Sequence, residues 1–123
     1  MLFGKTTRDI GRYGEKVAAR YLKKHGYRIR AKNFLSKHGE IDIVAENKEF
    51  LAIVEVKARK DSPENFALYG LPSEAVTKKK QQHILYTARL YLEKHPTKKA
   101  IRFDVIEVYL GETATVRHIE AAF

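Results

Sequence analysis

Two helical stripes and five strand-like runs emerge from the apolar and polar positions of this chain. Ile10, Tyr13, Val17, Ala18, Tyr21 and Leu22 recur at helical spacing, predicting a helix from about Asp9, as N-cap, to His25, with Gly26 as its stop. Tyr27 to Ser36 reads as a strand, with Tyr27, Ile29 and Ala31 alternating against Arg28, Arg30 and Lys32. Asn33 and Phe34 mark a point where it ends or bends. Gly39 to Arg59 reads as two strands around the polar turn Glu46 to Glu49. The prolines and glycine between Asp61 and Pro72 predict a long loop. Ser73, after Pro72, would cap a second helix running to Lys94, with Ile84, Ala88, Tyr91 and Leu92 as its stripe and Gln81 extending it. Ala100 to Leu110 and Glu112 to Ile119 complete the set. The order α-β-β-β-α-β-β predicts an α/β domain: a mixed central β-sheet flanked by two helices. Residues 1–8 read as a loose, basic leader and residues 9–123 as one domain.

The strand from Phe50 to Ala58 is apolar except for Glu55 and Lys57, and buried charge without a partner is costly. Alternation puts Leu51, Ile53, Glu55 and Lys57 on one face. In the preceding strand it puts Glu40, Asp42 and Val44 opposite Ile41 and Ile43. A two-residue loop at Asn47-Lys48, or a four-residue loop from Glu46 to Glu49, pairs Val44 with Leu51, Asp42 with Ile53 and Glu40 with Glu55. Asp42 and Glu55 then become same-face diagonal neighbours, roughly 6–8 Å apart at the backbone and able to reach one divalent cation. A three-residue loop would slip the register by one and separate them.

Composition narrows the class. The chain has 123 residues, 44% hydrophobic and 32% charged, as expected of one soluble domain with a core of its own. No apolar run approaches a membrane span, and the first ten residues lack a secretory signal's apolar core. Without cysteine there is no disulfide or thiolate metal site, and cytoplasm is the default compartment. The net charge of +9 fits a polyanionic partner as well as it fits a solubilising surface. Its distribution says more. Lys16 to Lys37 holds eight Lys or Arg and no acid; Lys78 to Lys99 holds seven against Glu93 alone. Glu40, Asp42, Glu46, Glu49 and Glu55 lie between. Basic flanks around an acidic centre suit an enzyme that holds a phosphodiester backbone against metal-binding carboxylates. Lys78, Lys79 and Lys80 at the start of a helix oppose its dipole, which points to phosphate contact as an alternative to plain solvation. The five histidines form no HxxH or HExxH pattern, and no phosphate-loop or GxSxG motif is present.

Asp42 within Gly39-Glu40-Ile41-Asp42, followed by Glu55-Val56-Lys57 on the next strand, resembles the core pattern of the PD-(D/E)xK nucleases. Gly14-Glu15 with Ala18, Gly26-Tyr27, Asn33, the GEIDIV and VEVKAR blocks and Arg102-Phe103-Asp104-Val105 resemble the YraN-like family of small bacterial proteins. That family is similar in turn to archaeal Holliday-junction resolvases. The resemblance implies a restriction-endonuclease-like fold and Mg²⁺- or Mn²⁺-dependent hydrolysis of DNA, including branched DNA. Asp42 and Glu55 would bind the metal by side chain and Val56 by its carbonyl. Glu15 would hold a second metal or its water. Lys57 would orient the water or stabilise the transition state, its ammonium favoured beside two carboxylates. Gln81 would position water or phosphate. Glu40 shares the face as a ligand of Arg or outer-shell water, and Asp104 reads as structural. Lys78, Lys79, Lys80, Arg28, Arg30 and Arg59 would hold the DNA, and a homodimer stays open.

The bland alternative for Asp42, Glu55 and Lys57 is a partly buried ion-pair cluster without activity. The rivals of a metal-dependent nuclease are therefore a silent nucleic-acid-binding module on the same fold and a protein whose basic face meets another acidic partner.

Overall fold

A computed structural model describes residues 6–60 and 76–123. The elements are α1 (Thr7–Lys24), β1 (Arg28–Ser36), β2 (Gly39–Glu46), β3 (Phe50–Arg59), α2 (Lys78–Lys94), β4 (Ala100–Leu110) and β5 (Ala114–Ile119). They form one mixed sheet in the order β1-β2-β3-β4-β5, antiparallel except for the parallel pair β3–β4 that α2 connects. The predicted α/β architecture and element order hold. The loop expected from Asp61 to Pro72, and the helix start expected at Ser73, lie outside the described residues.

Helix α1 starts earlier than the sequence suggested. Thr6 is its N-cap and Asp9 closes a capping box as the third helical residue. Thr7 and Arg8, expected in a leader, are therefore helical. The buried row is Ile10, Gly14, Ala18 and Leu22, spaced by four, whereas Tyr13 is 46% exposed. Small residues decide this: a Cβ on Gly14 would stand 2.7 Å from the Ala58 side chain. So close an approach of α1 to β3 leaves no room for a flanking tyrosine. In α2 the first residue is Lys78, and the N-cap Thr77 accepts from the Lys80 amide at 3.1 Å.

Each helix covers one face. Ile10, Ala18 and Leu22 of α1 pack on Ile43, Ala45, Ala52, Val54, Ile106 and Val108. Ile84, Ala88 and Tyr91 of α2 pack on Ile41, Val44, Leu51, Ile53 and Val105. Strict alternation fails twice. A register shift between Ile29 and Ala31 sends Ile29 to the α1 core and Ala31 to the α2 core. Asn33, with φ 50°, bends β1 without ending it, and Ile41 and Ile43 then fall into opposite cores rather than sharing a face.

Candidate metal centre

The hairpin turn sets the register. Asn47 and Phe50 close it through Lys48-Glu49: the Asn47 amide donates to the Phe50 carbonyl at 3.0 Å, and Asn47 Oδ1 accepts from the Glu49 and Phe50 amides. Val44 therefore pairs with Ile53, not Leu51. The whole register is two residues further on than expected, because the asparagine side chain caps the turn from its first position. A shift of two preserves parity, and the same register continued one step past the last ladder pair sets Asp42 opposite Glu55 instead of diagonal to it.

Ladder pairing between β2 and β3 stops at Ile43–Val54, although β2 begins at Gly39 and β3 continues to Arg59. In place of the next backbone bond, the Val56 amide donates to Asp42 Oδ2 at 2.8 Å. The strands part here, and the carboxylates gather at the mouth of the split. Asp42 and Glu55 are 7% and 5% exposed, and their carboxyls are in hydrogen-bonding contact. Glu15, Glu40 and Asp42 each present an oxygen within 4.8 Å of the others. Glu15 arrives from α1, brought close by the Gly14–Ala58 approach and held by Asn33 Nδ2 at 2.9 Å. The left-handed Asn33 thus both bends β1 and fixes this carboxylate.

This grouping is electrostatically frustrated. Burial, then the hydrogen bond and charge of Glu55, push Asp42 up to about 9 against the opposing Val56 amide. Two acceptors in contact need a proton between them, and that proton belongs to the pair. Glu40 is raised by burial and by Glu15 and Glu55, with Lys80 opposing. Lys80 Nζ lies 3.0 Å from Glu55 Oε2, near enough for an ion pair but not aligned as a hydrogen bond. Burial lowers Lys80, but its contacts with Glu55 and Lys57 outweigh that and raise it. Lys57 moves opposite to expectation. Burial first, then the neighbouring Lys80 cation, lower it, and the two carboxyls do not compensate.

Other residues fall elsewhere. Gln81 donates to the Val76 carbonyl at 2.9 Å and lines an apolar cavity with Lys78, Leu85, Phe103 and Phe123, away from the acids. Arg30 pairs with Glu46 at 3.3 Å and Arg28 is its register neighbour, at the turn end of β2. That is four strand positions from Asp42, or about 13 Å. Arg59 is half-buried at the end of β3, two residues beyond Lys57. Lys79 lines a cavity beside Glu40. Asp104 is fully buried, taking two 2.8 Å bonds from Arg102, one from His118 Nε2 at 2.8 Å and one from the Ala121 amide at 3.1 Å. Burial would raise its pKa, but these partners hold it below the usual range. Arg102 also donates to Tyr27 and lies 4.6 Å over the Phe50 ring.

Glu40, expected as a ligand of Arg or outer-shell water, groups with Glu15 and Asp42, and Lys80, expected among the DNA-facing cations, lies against Glu55. The Glu40-x-Asp42 spacing was a usable signal for the first. Nothing local marks the second, because α2 meets β3 only through the fold.

The uncharacterised protein family UPF0102 matches residues 14–108. The chain belongs to this family. It is 46% identical over 121 residues to the UPF0102 protein of Clostridium botulinum (strain Loch Maree), covering 94% of each chain. With the UPF0102 protein of Trichlorobacter lovleyi it shares 44% over 126 residues, covering 99% of this chain and 95% of the relative. The YraN-like resemblance thus holds across the span that carries Glu15, Glu40, Asp42, Glu55, Lys57 and Lys80. No helix among the described residues is long and apolar enough to cross a membrane.

Proposed function

We propose that this UPF0102 chain is a metal-dependent nuclease acting on the phosphodiester bonds of DNA. The observation that supports it best is the convergence of Glu15, Glu40 and Asp42 within 4.8 Å, backed by Glu55 and two lysines. The donor set fits a hard cation. It is all carboxylate oxygen, it is partly buried, and its raised acids show the crowding of negative charge that a cation relieves. Mg²⁺ or Mn²⁺ held by Asp42 with Glu40, Glu15 and Glu55 would supply Lewis acidity to a phosphoryl oxygen and acidify a water. Val56 serves through its amide, which orients Asp42. Lys80 steadies Glu55 and adds positive charge where a phosphate would sit. Lys57, two residues beyond Glu55 on β3, would orient the attacking water or stabilise the transition state.

A second reading is a binding module without turnover; the Lys80–Glu55 pair supports it, because it offsets part of the acids' charge. Incubation with Mg²⁺ or Mn²⁺ and duplex, single-stranded, flapped or four-way DNA decides between them. Cleavage that needs metal and vanishes in Asp42→Asn and Glu55→Gln is expected. Binding without cleavage of any substrate would favour the module.

A further inference from the structure

Next to the acidic cluster, on the α2 side, lies a cavity of about 290 Å³ lined by His38, Gly39, Glu40, Thr77, Lys79, Lys80, His83 and Ile84. Two rings line it, and a third, Tyr86, buttresses one of them. His38 and His83 stack at 18° with centroids 5.8 Å apart, and Tyr86 meets His38 edge-on at 4.6 Å. The wall is anchored. Ser36 and Thr87 hydroxyls bond at 2.8 Å, and a Cβ on Gly39 would stand 3.8 Å from the His83 Cβ. The tip of the β1–β2 hairpin is thereby pinned to α2. Two members connect the cavity to the carboxylates: Glu40 belongs to both, and Lys80 lines the cavity while contacting Glu55.

We infer that this cavity is a subsite for one unpaired nucleotide, whose base rests on the His38 and His83 rings while its phosphate faces Lys79 and Lys80. The volume is at the low end for small-molecule sites and suits one nucleoside. Ring faces accept any base, because every base has a π-face, and the adjacent cations follow the backbone. The two rings are nearly parallel with centroids 5.8 Å apart, an offset arrangement that leaves part of each face uncovered, and no metal-ligand group among the described residues includes either histidine, so a shared metal is a poorer occupant. A duplex keeps its bases stacked inside and fills such a pocket only by extruding one. Strands with unpaired nucleotides, such as single strands and branch points, are therefore the preferred substrates. This rests on the nuclease reading for the choice of DNA, but its test reads binding alone.

Fluorescence anisotropy with labelled oligo-dT and with a duplex of equal length, in Ca²⁺ and in the Asp42→Asn background, measures the subsite without turnover. Tighter binding of the single strand is expected. The pair His38→Ala/His83→Ala should weaken it about ten-fold, the loss of one base stack, and leave duplex binding within two-fold. His38→Phe/His83→Phe should restore it. Lys79→Ala should make the single-strand salt slope shallower by about 0.7, whereas the histidine pair should leave the slope alone. Equal losses on single strand and duplex, no loss on either, or no single-strand binding by the parent protein would each overturn the subsite. Metal-dependent cleavage of duplex would survive any of those results, so the two readings fail separately.

Discussion

Two buried charge clusters lie one residue apart along the sheet and behave in opposite ways. Asp104 pairs in register with Val54 and closes a network with Arg102, His118, Tyr27 and the Ala121 amide. Glu55, the next residue on β3, joins Asp42, Glu40 and Glu15 around a split in the sheet. The first set meets every lone pair of its acid with a donor, and the acid is held low. The second crowds four acids against two lysines, leaves Glu55 Oε2 without a hydrogen bond and raises Asp42 to about 9. Asp42 and Glu55 are buried almost as deeply as Asp104, while Glu15 is half-buried and Glu40 exposed. The difference is satisfaction. A satisfied buried charge fixes a fold, whereas clustered, destabilised acids are a group that could hold a cation.

That contrast can be broken most severely at Asp104. Replacing it with Ala leaves the Arg102 guanidinium buried without its main partner and should cost roughly 3–5 kcal/mol, read as a lower urea midpoint. Asp42→Asn in the other cluster should leave the midpoint unchanged or raise it in chelator, because it removes like-charge crowding. Equal destabilisation by the two variants would erase the distinction.

Metal binding is the next lever. Calorimetric titration with Mn²⁺ should show one site or more in the parent protein and none in Asp42→Asn or Glu55→Gln. Lys57→Ala should retain binding and lose cleavage. Loss of both together would make Lys57 a structural residue. Unchanged Mn²⁺ affinity in both acid variants would refute the assignment.

The pH dependence should separate the clusters by sign. A folded Asp42 with pKa near 9 keeps a proton that the unfolded chain releases near 4, so the native state binds more protons between those values. Its stabilisation is full below about pH 4 and is lost as pH rises through 9. Asp104 is depressed, so its contribution is present above about pH 4 and is lost on acidification below that. Stability in chelator should therefore fall from pH 5 to 9 in the parent protein and fall less in Asp42→Asn. A flat parent profile would contradict the shared proton.

The smallest expected effect is on the surface. Lys78→Ala/Lys79→Ala should make the slope of log duplex affinity against log salt shallower by about one, since each neutralised phosphate contributes about 0.9. Lys80 is excluded from that pair because it points into the acids. An unchanged slope would place the DNA path elsewhere.

Much of the centre was legible in the sequence. Glu55 and Lys57 stood out as charges in an apolar strand, and hairpin parity put Asp42 beside Glu55 even though the loop sits one residue later than expected and the register is off by two. Parity survives an even slip, which is why the conclusion outlived the error. Asp104 read as structural and is. By contrast, Gln81 and Lys80 lie side by side on a helix, and nothing in their spacing tells which faces the acids. Tyr13 looked like core by periodicity and is exposed, because Gly14 lets α1 sit too close to β3.

Local pattern by itself determined the kinds of element, their order, the face on which Glu55 and Lys57 lie and the cluster's acidic character. These follow from steric periods of two and 3.6 and from turn chemistry, which act over a few residues. Only the tertiary structure decided that Glu15, Glu40 and Lys80 converge on Asp42 and Glu55, that Arg28 and Arg30 lie at the far end, and that Ile41 and Ile43 part company. A period tells which side of its own element a residue occupies. It does not set how one element rotates or approaches against another, and here that was settled by a glycine contact, a left-handed asparagine and a split between two strands.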